Sequence, residues 1–455
     1  MKIIRLQKSP FYMYPKSIVV ASALIFGLFS CKQNASEDEY GKAASNPELF
    51  HQCSVQLTDV IVHDIFKPPV ASRIYTYSYL AAYEAMRQQF PEYKSLAGVI
   101  TDFTSVPEPD KGKIYCFPLA AVTAFNKVGE ELTFSKDMWT KFADSFYLQY
   151  KKMNIPEDVY EQSIDYGNKI AKHILAYADT DKYKETRSGQ KFAVLDEPGR
   201  WVPTPPAYAQ ACEPQWSKTR FFTIDSASQF RPIPCAKYNT NSKSQYYKLL
   251  KDVYDISKQL TQEQKDIAYF WDDNAFVTNI SGHVMFATKK MTPAGHWIAI
   301  ARTVMKNKKI DLMKCTEIYM ATALALHDAF IASWDEKYRS NRVRPITVIN
   351  QYIEPGWNSF LENPPFPEYV SGHSAISASA GTVLTKLLGD NIAFTDSTEF
   401  IYEHGVRSFT SFKQAYRETS DSRVYGGIHY RDGVNAGMKQ GEQVGQWVLM
   451  KLNLK

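Results

Sequence analysis

The 455-residue chain has only six cysteines, and no two of them form a C-x-x-C pair. A zinc site built on such pairs is therefore not expected. Alternating apolar and polar runs bounded by turn signals are scarce, which argues against a framework of β-sheets. There is no tandem repeat and no low-complexity tract. An excess of one charge is missing as well. The formal net charge is +5, but Lys2, Arg5, Lys8 and Lys16 lie in the first 30 residues, which hold no acid. The rest carries 49 basic residues against 48 acidic ones, a net of +1. Such a body gives no electrostatic reason to expect nucleic acid as a partner.

What is present is apolar material, at 44% hydrophobic and 14% aromatic. That suffices for a large core in one big domain or two. The apolar run near the start, Ile18 to Ser30, is short for a membrane span and suits a signal h-region. It ends at Leu28-Phe29-Ser30-Cys31, which resembles a bacterial lipobox, although Phe29 is larger than the residue usual there. An ordinary signal peptide with an incidental Cys31 is the alternative. The expectation is a signal peptide over 1–30, then a lipidated Cys31 and flexible tether over 31–48. The protein would be an exported outer-membrane or cell-surface lipoprotein, facing the periplasm or outward, that meets membrane only through Cys31. Export permits disulfides. Cys212 and Cys235, which flank a Pro-rich stretch, are the candidate pair, and the odd number of cysteines beyond Cys31 leaves one thiol over.

Apolar residues recur at three- and four-residue spacing over 72–89, 118–134, 157–178, 243–258, 261–272, 312–334, 373–388, 397–416 and 434–452. The fold class is therefore all-α. Residues 181–242, rich in Pro, Ser, Thr and aromatics, read as a long loop region over the surface or a seam between two helical halves. The halves would be an N-terminal one over 49–242 and a C-terminal bundle over 243–455. Ile318 to Trp334 is strongly apolar but contains His327 and Asp328, so it reads as a buried helix rather than a membrane span. Gly437, Gly441 and Gly445, four apart, form a ridge that another helix can approach closely.

Three Gly-His sites compete for a chemical role: Ser281-Gly282-His283, Ala294-Gly295-His296 and Ser371-Gly372-His373. Only the third stands in a wider pattern. Lys337 is followed seven residues on by Arg344-Pro345. On one helix, cations seven apart would share nearly one face, although Pro345 suggests that the helix ends about there. Ser371-Gly372-His373 comes next, and then Ser422-Arg423 with His429 six residues beyond Arg423. Three permanent cations, a Ser-Gly pair at a helix start and two histidines suit a tetrahedral oxyanion. The guanidinium forks and the ammonium offset its desolvation. Amides at a helix start favour negative charge, and Gly372 lets the backbone come close. Of two imidazoles, one can attack or ligate the central atom while the other moves a proton.

These motifs, over roughly 337–437, resemble the signature shared by vanadium-dependent haloperoxidases and type-2 phosphatidic acid phosphatases. The resemblance implies a helical bundle with the anion site at its core, here with an additional helical N-terminal half and long loops. It implies that Lys337, Arg344 and Arg423 bind the oxygens of vanadate or phosphate, and that Ser371 and the Gly372 amide complete the cradle. It makes His429 the vanadium ligand or a phosphohistidine nucleophile, and His373 the acid–base residue. Two features depart from the pattern. Val370 stands where Pro is usual before Ser-Gly-His. The acid after His429 comes three residues on, at Asp432, instead of four; it either orients the imidazole or is a surface acid at a helix start. Asp328 and Trp334 either line the pocket or are a satisfied buried polar group and a packing aromatic. The remaining histidines, including His283 and His296, read as hydrogen-bonded core or loop residues.

The motifs identify the anion better than the reaction. Pro364-Pro365-Phe366-Pro367-x-Tyr369 and Gly426-Gly427-Ile428-His429 resemble the haloperoxidase branch more closely. Phe366 stands at a pocket position, and no halide is inferred from it. The expected function is that of a vanadium-dependent haloperoxidase-like enzyme, with vanadate as cofactor and halide and hydrogen peroxide as partners. The alternatives are a cofactor-free acid phosphatase acting on a phosphate ester through His429, and a surface lipoprotein that captures an anion without turnover.

Overall fold

The computed structural model describes residues 36–195, 197–281 and 284–454. The expected signal peptide, Cys31, residues 32–35 of the tether and His283 lie outside them; the rest of the expected flexible tether is instead largely helical, with Tyr40 and Ala44 packed into the core. The N-terminal part is built from α1 (Glu37–Ala44), α2 (Pro47–His63), α3 (Pro68–Met86), α4 (Phe117–Leu132), α5 (Lys136–Lys151), α6 (Glu157–Asp179) and the short α7 (Tyr183–Ser188). After the long loop region come α8 (Gln245–Lys258), α9 (Gln262–Phe270), α10 (Pro293–Lys308), α11 (Leu312–Ser340), α12 (Pro345–Tyr352), α13 (Gly372–Leu388), α14 (Phe412–Tyr425) and α15 (Arg431–Lys451). Two small antiparallel hairpins interrupt the helices: β1 (Phe276–Ser281) with β2 (Val284–Lys289), and β3 (Phe394–Asp396) with β4 (Arg407–Phe409). The all-α reading holds.

One hydrophobic cluster runs from Tyr40 to Leu452 and joins both parts of the chain. Its spine is α11, which is buried along most of its length, as its apolar sequence demands. Asp311 caps its start by accepting from Lys314 N at 2.9 Å, and Asn341 ends it in the left-handed region at φ 48°. Asp328 on this helix turns away from the site. Its carboxylate accepts from the backbone N–H groups of Phe222, Thr223 and Ile224 at 2.8, 2.7 and 3.3 Å. The long loop is thus pinned to the core, and Trp201 and Trp216 within it are fully buried rather than superficial.

The glycine ridge does what its spacing suggests. Gly437, Gly441 and Gly445 on α15 face the backbone of α13, and a Cβ on Gly441 would sit 1.9 Å from the Ala375 carbonyl oxygen. α13 also packs on α11 and α14, so the start of α13 lies among all three.

Several expectations need correction. No helix spans 397–416: a 3₁₀ turn at Thr398–Tyr402, the strand β4 and the Ser411 cap of α14 take its place. Glu403 and Gly405, at φ 67° and 78°, break the helical path. Lys337 and Arg344 do not share a helix, because α11 stops at Ser340 and Arg344 caps α12. Cys212 and Cys235 are both free thiols. Cys212 is fixed deep in the core, its N–H donating to the Pro365 carbonyl at 2.7 Å, and burial pushes its thiol up to about 12. Among the described residues, no helix is long and apolar enough to cross a membrane.

Candidate active site

Separate segments bring the predicted residues together at the N-terminal end of α13. Lys337 comes from the last turn of α11, Arg344 from the α11–α12 corner, Arg423 from the last turn of α14 and His429 from the short link before α15. The chain between α12 and α13 arrives as the strap Pro364 to Val370, stiffened by prolines. Ser371 then caps α13 by accepting from Ser374 N at 3.3 Å. Its hydroxyl also accepts from Ser374 Oγ at 2.8 Å, which leaves its own O–H free to donate. Gly372 opens the helix, so its N–H is one of the donors that a helix start leaves unpaired. A Cβ there would press on the Trp334 ring at 3.3 Å and on Lys337 Cε at 3.5 Å.

The cations are buried with no carboxylate at ion-pair distance among the described residues, although Glu368 acts on Lys337 and Arg344, and Asp272 and Asp273 on Arg423, from further off. Lys337 and Arg344 are 0% exposed and Arg423 1%, and none of the three makes an ion pair among the described residues. Arg344 donates through Nε to the Phe366 carbonyl at 3.0 Å and through Nη1 to the Ile428 carbonyl at 2.8 Å, while Nη2 is buried with no partner. Arg423 donates to Ser422 Oγ at 2.9 Å and to the Trp271 carbonyl. Lys337 directs its ammonium at the carbonyls of Pro367, Glu368 and Val370, so it holds the strap and lends the site its charge. Burial, reinforced by Arg344, pushes its pKa well below the usual lysine value. Burial brings Arg344 down to about 10. Such cost persists in a fold where something restores the balance, and a bound anion does so.

The two imidazoles are held neutral in defined tautomers. Burial first, then Arg344, Lys337 and Arg423, push the pKa of His429 well below 6.5. Its Nε2 lies 3.2 Å from Arg344 Nη1, which can only donate, so Nε2 carries the lone pair and Nδ1 the proton. That proton is donated to Glu368 Oε1 at 2.8 Å. His373 is likewise pushed well down, by burial and then by Arg423 and His429. One side of its ring hydrogen-bonds the Asp272 backbone in the sense that favours the protonated ring, whereas Nε2 is buried and unpartnered. Its free lone pair is an available proton acceptor.

Glu368 is the residue that sequence reasoning passed over, and it displaces Asp432 from the role of partner to His429. Asp432 accepts from Arg342 Nη1 at 2.8 Å and from the Ala236 amide at 3.3 Å. Arg342 also lies 3.2 Å from Glu368 Oε2, so Asp432 acts on His429 only through Arg342 and Glu368. The Tyr430 N–H, at 3.2 Å, adds a donor to Glu368 Oε1. Gly433 makes the room: a Cβ there would come within 2.4 Å of Oε1. Nothing local in the sequence marks this role: Glu368 is the unassigned residue between Pro367 and Tyr369 in the strap.

Phe366 and Trp334 form the apolar wall. Their rings lie 4.9 Å apart, and Lys337 Nζ and Arg344 Cζ lie 4.8 and 5.1 Å from the Phe366 ring centroid. Trp334 thus lines the site, whereas Asp328 does not. His296 belongs to a separate cluster, with a carboxylate on each ring nitrogen.

The donors fit a tetrahedral oxyanion: three unpaired cations, an unpartnered Nη2, a free Ser371 O–H and the amide end of α13, with a neutral imidazole lone pair at one side. A family model described as the VCPO second helical-bundle domain matches residues 317–454, the segment that carries these donors. Among solved structures, a bacterial vanadium-dependent iodoperoxidase is 43% identical with a TM-score of 0.84, covering 90% of this chain and 97% of its own. The holo and apo forms of a bacterial vanadium-dependent chloroperoxidase share the fold at 18% and 17% identity, with TM-scores of 0.66 and 0.65. They cover 86% and 85% of this chain and 93% and 95% of their own. No curated protein matches. The phosphatase and capture-only alternatives are not favoured by these likenesses. Identity of this extent over nine-tenths of the sequence shows that the chain belongs to the vanadium-dependent haloperoxidase family.

Proposed function

We propose that the chain oxidises iodide with hydrogen peroxide, using vanadate held by Lys337, Arg344, Ser371, the Gly372 amide, Arg423 and His429. The observation that carries the anion site is the set of three buried cations with no ion pair beside a neutral His429. The choice of iodide rests on the 43% identity to a bacterial iodoperoxidase.

Bound vanadate would supply a Lewis-acidic centre that takes up peroxide and makes one of its oxygens electrophilic without a change of oxidation state. The protein's part is electrostatic and positional. Arg344 Nη2, the Ser371 O–H and the Gly372 N–H donate to anionic oxygens, and Arg423 and Lys337 place charge behind them. His429 offers the Nε2 lone pair as a ligand, and Glu368 fixes the proton on Nδ1 and raises the ring's basicity. His373 accepts a proton from hydrogen peroxide at Nε2 and returns it to the departing oxygen as water forms. The overall change is iodide plus hydrogen peroxide plus one proton, giving hypoiodous acid and water. The Trp334–Phe366 wall keeps water from the donors and strengthens each of them.

The test is a halide comparison with the vanadate-loaded full chain. Iodide is expected to be oxidised fastest, with activity lost in His429→Ala. Oxidation of chloride or bromide at an equal rate would remove iodide from the proposal, and activity that survives His429→Ala would remove the site. Lipid anchoring at Cys31 outside the inner membrane remains part of the proposal, supported by the lipobox-like Leu28-Phe29-Ser30-Cys31. Incorporation of labelled fatty acid that is lost in Cys31→Ser tests it.

A further inference from the structure

Behind the oxyanion site lies a second polar cluster that the proposed reaction does not use. The His296 ring is stacked under Trp271, with centroids 4.6 Å apart, and is completely buried. Its Nδ1 is 2.8 Å from Asp273 Oδ1, and its Nε2 is 2.8 Å from Asp396 Oδ2. Glu399 lies beyond, with Oε1 3.9 Å from Nδ1. It is 1% exposed, and neither of its carboxylate oxygens makes a hydrogen bond. A buried carboxyl with no donor, aimed at an imidazole and a second carboxylate, needs an explanation beyond packing.

We propose that Asp273, His296 Nδ1 and Glu399 bind one divalent transition-metal cation of the zinc or manganese class, with Asp396 orienting His296 from behind. One ligand atom from each of the three residues lies within 4.8 Å of the others. One nitrogen and two carboxylates are a donor set for such ions. Asp396 is placed for the supporting role. Its second oxygen accepts from Thr398 N at 2.9 Å, which leaves Oδ2 to hold the Nε2 proton, the usual partner arrangement for a ligating histidine. Four separate elements supply the parts: the segment after α9, α10, β3 and the 3₁₀ turn.

Asp272, Lys290 and Arg423 lie alongside the cluster. Lys290 is already engaged, 3.6 Å from Asp272 Oδ2 and 2.8 Å from His404 Nε2. The cluster abuts the oxyanion site through Trp271, whose carbonyl accepts from Arg423. This inference does not rest on the proposed halide or on vanadate.

The experiment is equilibrium dialysis of the chelator-treated full chain, without vanadate, against Zn2+ and separately Mn2+ at pH 7. One Zn2+ per chain is expected, tighter than Mn2+. Glu399→Gln replaces a group that makes no hydrogen bond, so the fold should persist while Zn2+ affinity falls at least tenfold. Asp396→Asn should weaken binding about tenfold or more. Co2+ in place of Zn2+ gives a visible absorption band that Glu399→Gln removes. Absence of stoichiometric metal at pH 7 overturns the proposal. So does binding unchanged by Glu399→Gln in protein with wild-type circular dichroism.

Discussion

Glu368 Oε1 and His429 Nδ1 lie 2.8 Å apart, both buried, and this pair sets the state of the imidazole at the centre of the site. The carboxylate holds the proton on Nδ1, and the lone pair of Nε2 is thereby turned towards the cations. Glu368→Gln keeps an acceptor of the same shape but removes the charge. Vanadate affinity is expected to fall by about 10- to 100-fold, the range for partners that orient a ligating histidine. Glu368→Asp should recover only part of the loss. Fluorescence titration with orthovanadate checks this, and wild-type affinity in Glu368→Gln would remove Glu368 from the mechanism.

The unpartnered Arg344 Nη2 leads to a second expectation. Arg344→Lys keeps the positive charge but loses the fork, so vanadate binding should weaken by about tenfold or more, the loss expected for a charge-assisted hydrogen bond. Arg423→Ala should do at least as much. Equal affinity in either variant would mean that the anion does not sit in this cradle.

pH dependence follows from the two depressed imidazoles. His373 and His429 both have folded-state pKa values well below 6.5, so neither gains a proton on descent from pH 8 to 6.5. In the vanadate-free protein, NMR titration of the two imidazoles should therefore show no protonation above pH 6.5. Stability has the matching sign. As pH falls below about 6.5 the unfolded chain takes up these protons before the folded chain does, so the vanadate-free protein loses up to about 1.4 kcal/mol per pH unit for each such histidine. His373→Gln deletes one of these groups. Between pH 7 and pH 5 its melting temperature should fall less than that of the wild type. A parallel decline in both proteins would contradict the assignment.

Gly441 tests the scaffold. A methyl group there would lie 1.9 Å from the Ala375 carbonyl oxygen, which is backbone and cannot swing away. Gly441→Ala must push α15 off α13, at a cost of about 1–3 kcal/mol or more. Vanadate affinity should fall with it, because the Ser371 N–H donates to the Gly433 carbonyl on α15 at 3.0 Å. Thermal denaturation and the same vanadate titration measure both effects.

The sequence made legible those residues whose spacing is imposed by the anion. Lys337, Arg344, Ser371, Gly372, His373, Arg423 and His429 stand in fixed motifs, and the fold gathers them. It also exposed the long apolar helix α11 and the glycine ridge of α15, because helical periodicity and small-residue spacing are local signals. Glu368 was not legible: its partner lies 61 residues away, and only the turn of the strap brings the two together. Asp432 drew attention by its nearness in sequence to His429, but Arg342 holds it. The 397–416 segment has a helical apolar pattern that two left-handed residues override. The Asp273–His296–Asp396 cluster was hidden for the same reason as Glu368, its members being scattered over more than a hundred residues.

The most direct measurement is an anomalous-difference map at the vanadium absorption edge from crystals soaked in orthovanadate. One peak is predicted, within bonding distance of His429 Nε2 and in contact with Arg344 Nη2, the Ser371 hydroxyl and the Gly372 amide. A peak elsewhere, or none in crystals where these side chains keep their positions, would contradict the account.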